Sequence, residues 1–149
     1  MRRLLLMVAL FVSMKADAQD PVHFSYHVMK TGDKTFALHI KATMDEGWHI
    51  YAQVQPETAI SVPTKISFAK NPLVAVQGKI KEVGAMETQK IVEAGIEQNM
   101  YEKTVDFVQT ITLKANVKTA ITGTITYQAC TNEMCLPPKT IDISMALNQ

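Results

Sequence analysis

Apolar and polar side chains alternate with a period of two through most of this chain. Val22, Phe24, Tyr26 and Val28 interleave with His23, Ser25 and His27, and Phe36, Leu38 and Ile40 interleave with Ala37, His39 and Lys41. Successive side chains of an extended strand point to opposite faces, so this pattern predicts strands with one buried face. Thr31-Gly32-Asp33-Lys34 lies between the two runs. Its composition predicts a turn, and the first two strands should therefore form a hairpin.

The same period returns at Ile66/Phe68, at Val105/Phe107 running on to Ile111/Leu113, at Ile121/Ile125/Tyr127 and at Ile141/Ile143/Met145/Leu147. Breakers separate these segments at Asp45-Glu46-Gly47, Pro56, Pro63, Asn71-Pro72, Asn116 and Pro137-Pro138. Many short strands at that spacing predict an all-β antiparallel sandwich. Glu82 to Asn99 carries two glycines, few strong apolar residues and mixed charge. It reads as strand edges joined by a long loop, and a loop of that length in a compact domain is usually disordered or functional.

The first residues break the pattern. Arg2 and Arg3 precede an apolar run from Leu4 to Val12, and Ala16-Asp17-Ala18 has the small-x-small form of a cleavage site. The run falls well short of the roughly 20 residues that cross a bilayer. A secretory leader over residues 1–18 is expected, leaving 19–149 as one domain. The 149 residues carry a formal charge of +1 with no basic run, and so lack the electrostatic footprint of a nucleic-acid binder.

Export to an oxidising compartment brings the two cysteines forward, because a thiol pair there is normally a disulfide unless something reduces it. Cys130 and Cys135 are separated by Thr131-Asn132-Glu133-Met134, and Leu136-Pro137-Pro138 follows. A strand delivers Cys130 and the prolines stop regular structure after Cys135. As a staple the pair is weak: in the chain-entropy model a loop of about 6 residues contributes roughly 2 kcal/mol, against roughly 4.7 for one of 100. Trp48 precedes both cysteines, unlike the Cys-Trp-Cys order of immunoglobulin domains. Zinc would need two further ligands, and no histidine lies nearby in sequence. Cu(I) could use thiolates together with Met134, Met86 or Met100, although methionine is more often core filler. Redox exchange leads these readings, ahead of a minor structural disulfide in a binding module and ahead of a Cys/Met copper carrier. No cofactor and no resident metal are expected.

Tyr127-Gln128-Ala129-Cys130, a short polar spacer, and Cys135-Leu136-Pro137-Pro138 resemble the active-site segment of the N-terminal periplasmic domain of the thiol:disulfide interchange protein DsbD. Gly47-Trp48-His49-Ile50-Tyr51-Ala52-Gln53 is similar to the family's Gly-aromatic-x-x-Tyr segment. The strand at Pro63 to Phe68 and the strand at Tyr101 to Leu113 extend the similarity over most of the mature chain. The resemblance implies an immunoglobulin-like sandwich with the cysteine pair on a β-hairpin at one end, under a mobile cap that falls by position around Lys90 to Gln98. It implies that Cys130 and Cys135 are the catalytic pair of a disulfide-reductase component, with Cys135 attacking first. The implied partners are a membrane-embedded DsbD-like electron donor and thioredoxin-like periplasmic acceptors, including those serving disulfide isomerisation and cytochrome c maturation.

Two departures stand out. The spacer is one residue shorter than in many family members, which predicts a differently shaped hairpin tip. These 149 residues also contain neither a multi-helix membrane domain nor a thioredoxin-like domain, so donor and acceptor are expected to be separate proteins. Glu133 reads as a solvated tip residue, and Tyr51 and Tyr127 either surround the pair or serve as ordinary core aromatics. His23 and His27, four positions apart on one strand and so roughly 13 Å apart, read as solvent-facing and too distant to share a metal. His39 and His49 carry no assigned role.

Overall fold

A computed structural model describes residues 20–147, and the expected leader over residues 1–18 lies outside the described residues. The order is β1 (Val22–Lys30), β2 (Thr35–Met44), β3 (His49–Tyr51), β4 (Lys65–Phe68), β5 (Val74–Ile91), β6 (Ile96–Leu113), β7 (Thr119–Tyr127), β8 (Ala129–Cys130) and β9 (Lys139–Leu147). Among the described residues no helix is long and apolar enough to cross a membrane. The fold is an all-β, immunoglobulin-like antiparallel sandwich.

The first sheet is organised by β6. β5 pairs with one of its edges; β2 and then β1 extend from the other edge along Thr104–Thr112, and β3 and then β8 extend from the same edge at Met100–Glu102. The second sheet is β4-β7-β9. Register sets the core. Phe36, Ile40 and Ala42 on β2 stand opposite Ile111, Phe107 and Val105 on β6. They pack against Ile121, Ile125 and Tyr127 of β7 and Ile143, Met145 and Leu147 of β9. Gln109 falls among these apolar residues and is buried, with its amide nitrogen donating to the carbonyls of Gln77 at 2.8 Å and Thr110 at 2.9 Å. Gly123 permits the close approach of β4 to β7, since a Cβ there would lie 2.2 Å from the Ser67 carbonyl oxygen.

The structure corrects the expectation of a long loop between Glu82 and Asn99. β5 and β6 are continuous 18-residue strands joined by a 3-10 turn at Val92–Ala94 and by Gly95 in the left-handed region at φ 64. Beyond the pairing with β3 they continue as a two-stranded ribbon, residues 88–91 against 96–99, in which Ile91 and Ile96 form the one apolar pair and the other pairs are polar, so no hydrophobic alternation announces it. Cross-strand polar pairs hold it instead. Lys90 meets Glu97 at 2.7 Å, Thr88 Oγ1 donates to Asn99 Oδ1 at 2.9 Å, and Gln98 donates to Gln89 at 3.4 Å, each between direct register partners.

Candidate redox site

The cysteine hairpin is an extension of the β7-β9 hairpin, whose last pair is Tyr127 and Lys139. At Gln128 the chain leaves the second sheet and joins the first, where Ala129 and Cys130 pair with Ile50 and His49 of β3. Thr131 N–H then donates to Met134 O at 2.7 Å, closing a turn with Asn132 and Glu133 at its tip, and Leu136 N–H donates to Ala129 O at 2.9 Å. Thr131 Oγ1 accepts from the N–H groups of Glu133 at 3.2 Å and Met134 at 3.1 Å. With residues 131 and 134 closing the turn, 130 and 135 are the next cross-strand pair. The four-residue spacer therefore sets the two sulfurs directly opposite, and Cys130 and Cys135 form a disulfide with Cα atoms 4.0 Å apart. Pro137 and Pro138, lacking N–H groups, end the pairing before β9 begins.

The two sulfurs sit in different environments. Cys130 is fully buried at 0 % exposure, clustered with Tyr51 and Met100. Cys135 is exposed at the tip. It borders a cavity of about 330 Å³ whose walls include Tyr51, Ile60, Gln89, Ile91, Gln98 and Met134. Gln89, Ile91 and Gln98 come from the ribbon, so the segment expected to cover the pair does reach its cavity. The loop between β3 and β4, which the sequence did not mark, forms another wall. It is tied to the ribbon by Gln55, which donates to Asn99 O at 2.6 Å and accepts from Asn99 N at 2.9 Å, and to the cysteine hairpin by Val62 N–H on Gln128 Oε1 at 3.2 Å.

Buried polar side chains lie close to Cys130. His49, 1 % exposed, is its cross-strand partner, and the imidazole Nε2 lies 3.4 Å from Tyr51 Oη. Burial holds the His49 pKa below its ordinary value, against the opposite pull of Glu102. Burial pushes the Tyr51 phenol up, partly offset by a hydrogen bond from Gln98. Gln98 is buried, and its Oε1 has no hydrogen-bond partner among the described residues.

The other sequence candidates separate. Tyr51 packs on Cys130, whereas Tyr127 packs on Phe24 in the main core with ring centroids 5.1 Å apart. Glu133 is exposed at the turn, and His23 and His27 are exposed on β1. Met100 lies against Cys130 and Met134 against the cavity, while Met86 is exposed on the ribbon. Among the described residues no three His, Cys, Asp or Glu side chains converge as metal ligands. His49 is a site residue to which the sequence alone assigns no role. The signal available for it was its place two residues before Tyr51, on the same face of a strand.

Asp20 braces the base of the hairpin. Its carboxylate accepts from Tyr127 Oη at 2.5 Å, Lys139 Nζ at 2.6 Å and the N–H of Val22 at 3.1 Å. Burial alone would raise its pKa, but the bonds from Lys139 and Tyr127 outweigh that and hold it below the ordinary 3.8. A depressed carboxylate contributes stability that is present above its unfolded-state pKa and lost as pH falls through the folded one. Asp20→Asn should therefore destabilise the domain by about 1–2 kcal/mol near neutral pH. The gap from wild type should narrow below about pH 4, as read from urea midpoints across pH; a gap independent of pH would contradict this account.

Comparison with known proteins agrees with this geometry. Residues 16–147 match the family model described as thiol:disulfide interchange protein DsbD, N-terminal. No curated protein matched. Among solved structures, the N-terminal periplasmic domain of ScsB from Proteus mirabilis superposes with a TM-score of 0.59 at 17% identity, over 87% of this chain and 47% of that one. This chain thus spans about half the length of that relative, and the likeness shows a shared fold. The Neisseria meningitidis DsbD N-terminal domain in its reduced form gives a TM-score of 0.44 at 14% identity, over 85% of this chain and 86% of that one, too low to add weight. The family match spans every strand and both cysteines, and on that ground the chain belongs to the DsbD N-terminal family of thiol:disulfide interchange proteins.

Proposed function

We propose that this domain works in the periplasm after loss of residues 1–18 and relays electrons through Cys130 and Cys135. In this reading they pass from a membrane-embedded DsbD-like donor to thioredoxin-like acceptors. The observation that carries the proposal is the asymmetry of the pair: one sulfur buried, the other at an exposed tip beside a cavity. Exchange proceeds by attack of a thiolate on a disulfide sulfur, and accessibility selects the sulfur that meets the partner.

In the reduced protein the Cys135 thiolate attacks the acceptor's disulfide. A bond forms between Cys135 and one acceptor sulfur while the acceptor's own S–S bond breaks and its second sulfur leaves as thiolate. Cys130 then attacks Cys135, displaces the acceptor as a dithiol and restores the Cys130-Cys135 disulfide. A donor dithiol reverses the sequence, striking Cys135 first.

The test is the reduction potential of the pair, obtained by equilibration with glutathione redox buffers. A carrier is expected to lie in the range of exchange-active pairs, above about −300 mV. A value far below that marks a structural disulfide that the glutathione pool does not reduce, and would remove the proposal.

A further inference from the structure

A carboxylate, an imidazole and the two cysteines lie in one row across one end of the first sheet. Glu102 on β6 stands opposite His49 on β3, His49 opposite Cys130 on β8, and Cys130 opposite Cys135 on the returning arm of the hairpin. Direct cross-strand partners share a face, with Cβ atoms about 4.5–5.5 Å apart. The row depends on a local irregularity in β6. Lys103 adopts φ 61 between Thr104, which pairs with β2, and Glu102, which pairs with β3.

Burial creates a chemical difficulty at Cys130. The thiolate is the nucleophile in exchange, yet a desolvated site favours the neutral thiol. Cys130 nevertheless has to act as a thiolate when it resolves a mixed disulfide on Cys135. A nucleophile beside a base, with that base beside a carboxylate, is the arrangement that solves this problem in other enzymes.

We propose that His49 accepts the proton of Cys130 and that Glu102 stabilises the imidazolium so formed; this rests on the exchange reading above. The Cys130 proton passes to the imidazole and the Cys130 sulfur attacks the Cys135 sulfur. The Cys130-Cys135 bond forms, the bond from Cys135 to the partner breaks, and the partner's sulfur leaves as thiolate with the electron pair. In the reverse direction a donor thiolate attacks Cys135, Cys130 leaves as thiolate, and the imidazole takes up a proton from solvent and passes it to the Cys130 sulfur.

Each neighbour of His49 fits the role. From β6 comes the Glu102 carboxylate, whose charge favours the imidazolium; from β8 comes Cys130; and on β3 itself Tyr51 Oη, 3.4 Å from Nε2, orients the ring. Burial keeps the imidazole neutral at neutral pH and therefore able to accept a proton.

The experiment is rapid mixing of the reduced protein with the aromatic disulfide 5,5′-dithiobis(2-nitrobenzoate). Attack by Cys135 releases one thionitrobenzoate in a phase that scales with reagent concentration. Resolution by Cys130 releases the second in a phase that does not. His49→Gln, which keeps a hydrogen bond available to Tyr51, should leave the first phase within about twofold and slow the second on the order of 10²-fold. The wild-type second phase should be flat above the imidazole pKa and fall below it. In His49→Gln it should climb with pH through the thiol range. Glu102→Gln should slow the second phase several-fold and move its bend to lower pH.

A second phase of wild-type rate and pH profile in His49→Gln overturns the proposal. Absence of the first phase in the wild type overturns the exchange reading itself. Should His49→Gln fail to fold, NMR titration of His49 in the reduced wild type decides: a midpoint at the bend of the second phase supports the proposal, and a midpoint elsewhere overturns it.

Discussion

Cys135→Ser is expected to abolish thiol transfer to a disulfide partner, whereas Cys130→Ser should leave the first attack intact and accumulate the mixed disulfide. The reason is position on the hairpin and not sequence order. Cys135 is exposed at the tip, while Cys130 is enclosed by Tyr51, Met100 and the β3 strand. A buried thiol reacts through local opening, and an opening that costs about 3 kcal/mol leaves roughly one molecule in a hundred reactive. Iodoacetamide alkylation of the two reduced single-cysteine variants reads this directly. The protein retaining only Cys130 should react about 10²-fold more slowly than the one retaining only Cys135, and should catch up in denaturant. Equal rates in the folded proteins would mean that the hairpin opens freely, and the asymmetry would no longer decide which sulfur attacks.

Phe107→Ala is expected to produce the largest loss of stability among single core truncations, about 3–5 kcal/mol. Phe107 is fully buried on β6, opposite Ile40 of β2 on one edge and Glu82 of β5 on the other. Removing its ring leaves a cavity between the two sheets, and β6, paired along both edges, cannot easily move in to fill it, so collapse is restricted. For a domain of this size the change corresponds to a fall in Tm of roughly 10–20 °C. Urea unfolding should show a lower midpoint at unchanged slope. A loss under about 1 kcal/mol would mean that the sheet repacks. Because β6 also carries Glu102 and pairs with β3, the same variant should retain the reactivity difference between the cysteines at temperatures where it stays folded.

The strands were legible wherever one face is buried. β1, β2, β4, β7 and β9 follow the alternation of Val22 to Val28, Phe36 to Ile40, Ile66/Phe68, Ile121 to Tyr127 and Ile141 to Leu147. Three elements were not legible, for separate physical reasons. β3 and β8 are three and two residues long, too short to establish a period. The β5-β6 ribbon is mostly polar, with Ile91-Ile96 its one apolar pair, and its order comes from pairs such as Lys90-Glu97 that form only once the strands are in register.

By itself, the sequence determined the sandwich class, the end of regular structure after Cys135 and the DsbD-like character of the cysteine block, whose resemblance implied the hairpin. All three are local: alternation, proline punctuation and a short motif act over a few residues along the chain. Only the tertiary structure decided which sulfur is buried, that the ribbon and the β3-β4 loop wall the cavity beside Cys135, and that Glu102, His49 and Cys130 share one row. Those facts depend on β3 being inserted between β6 and β8, a pairing of residues 49 to 81 positions apart along the chain, and no periodicity within a single segment can encode which partner a strand edge will meet.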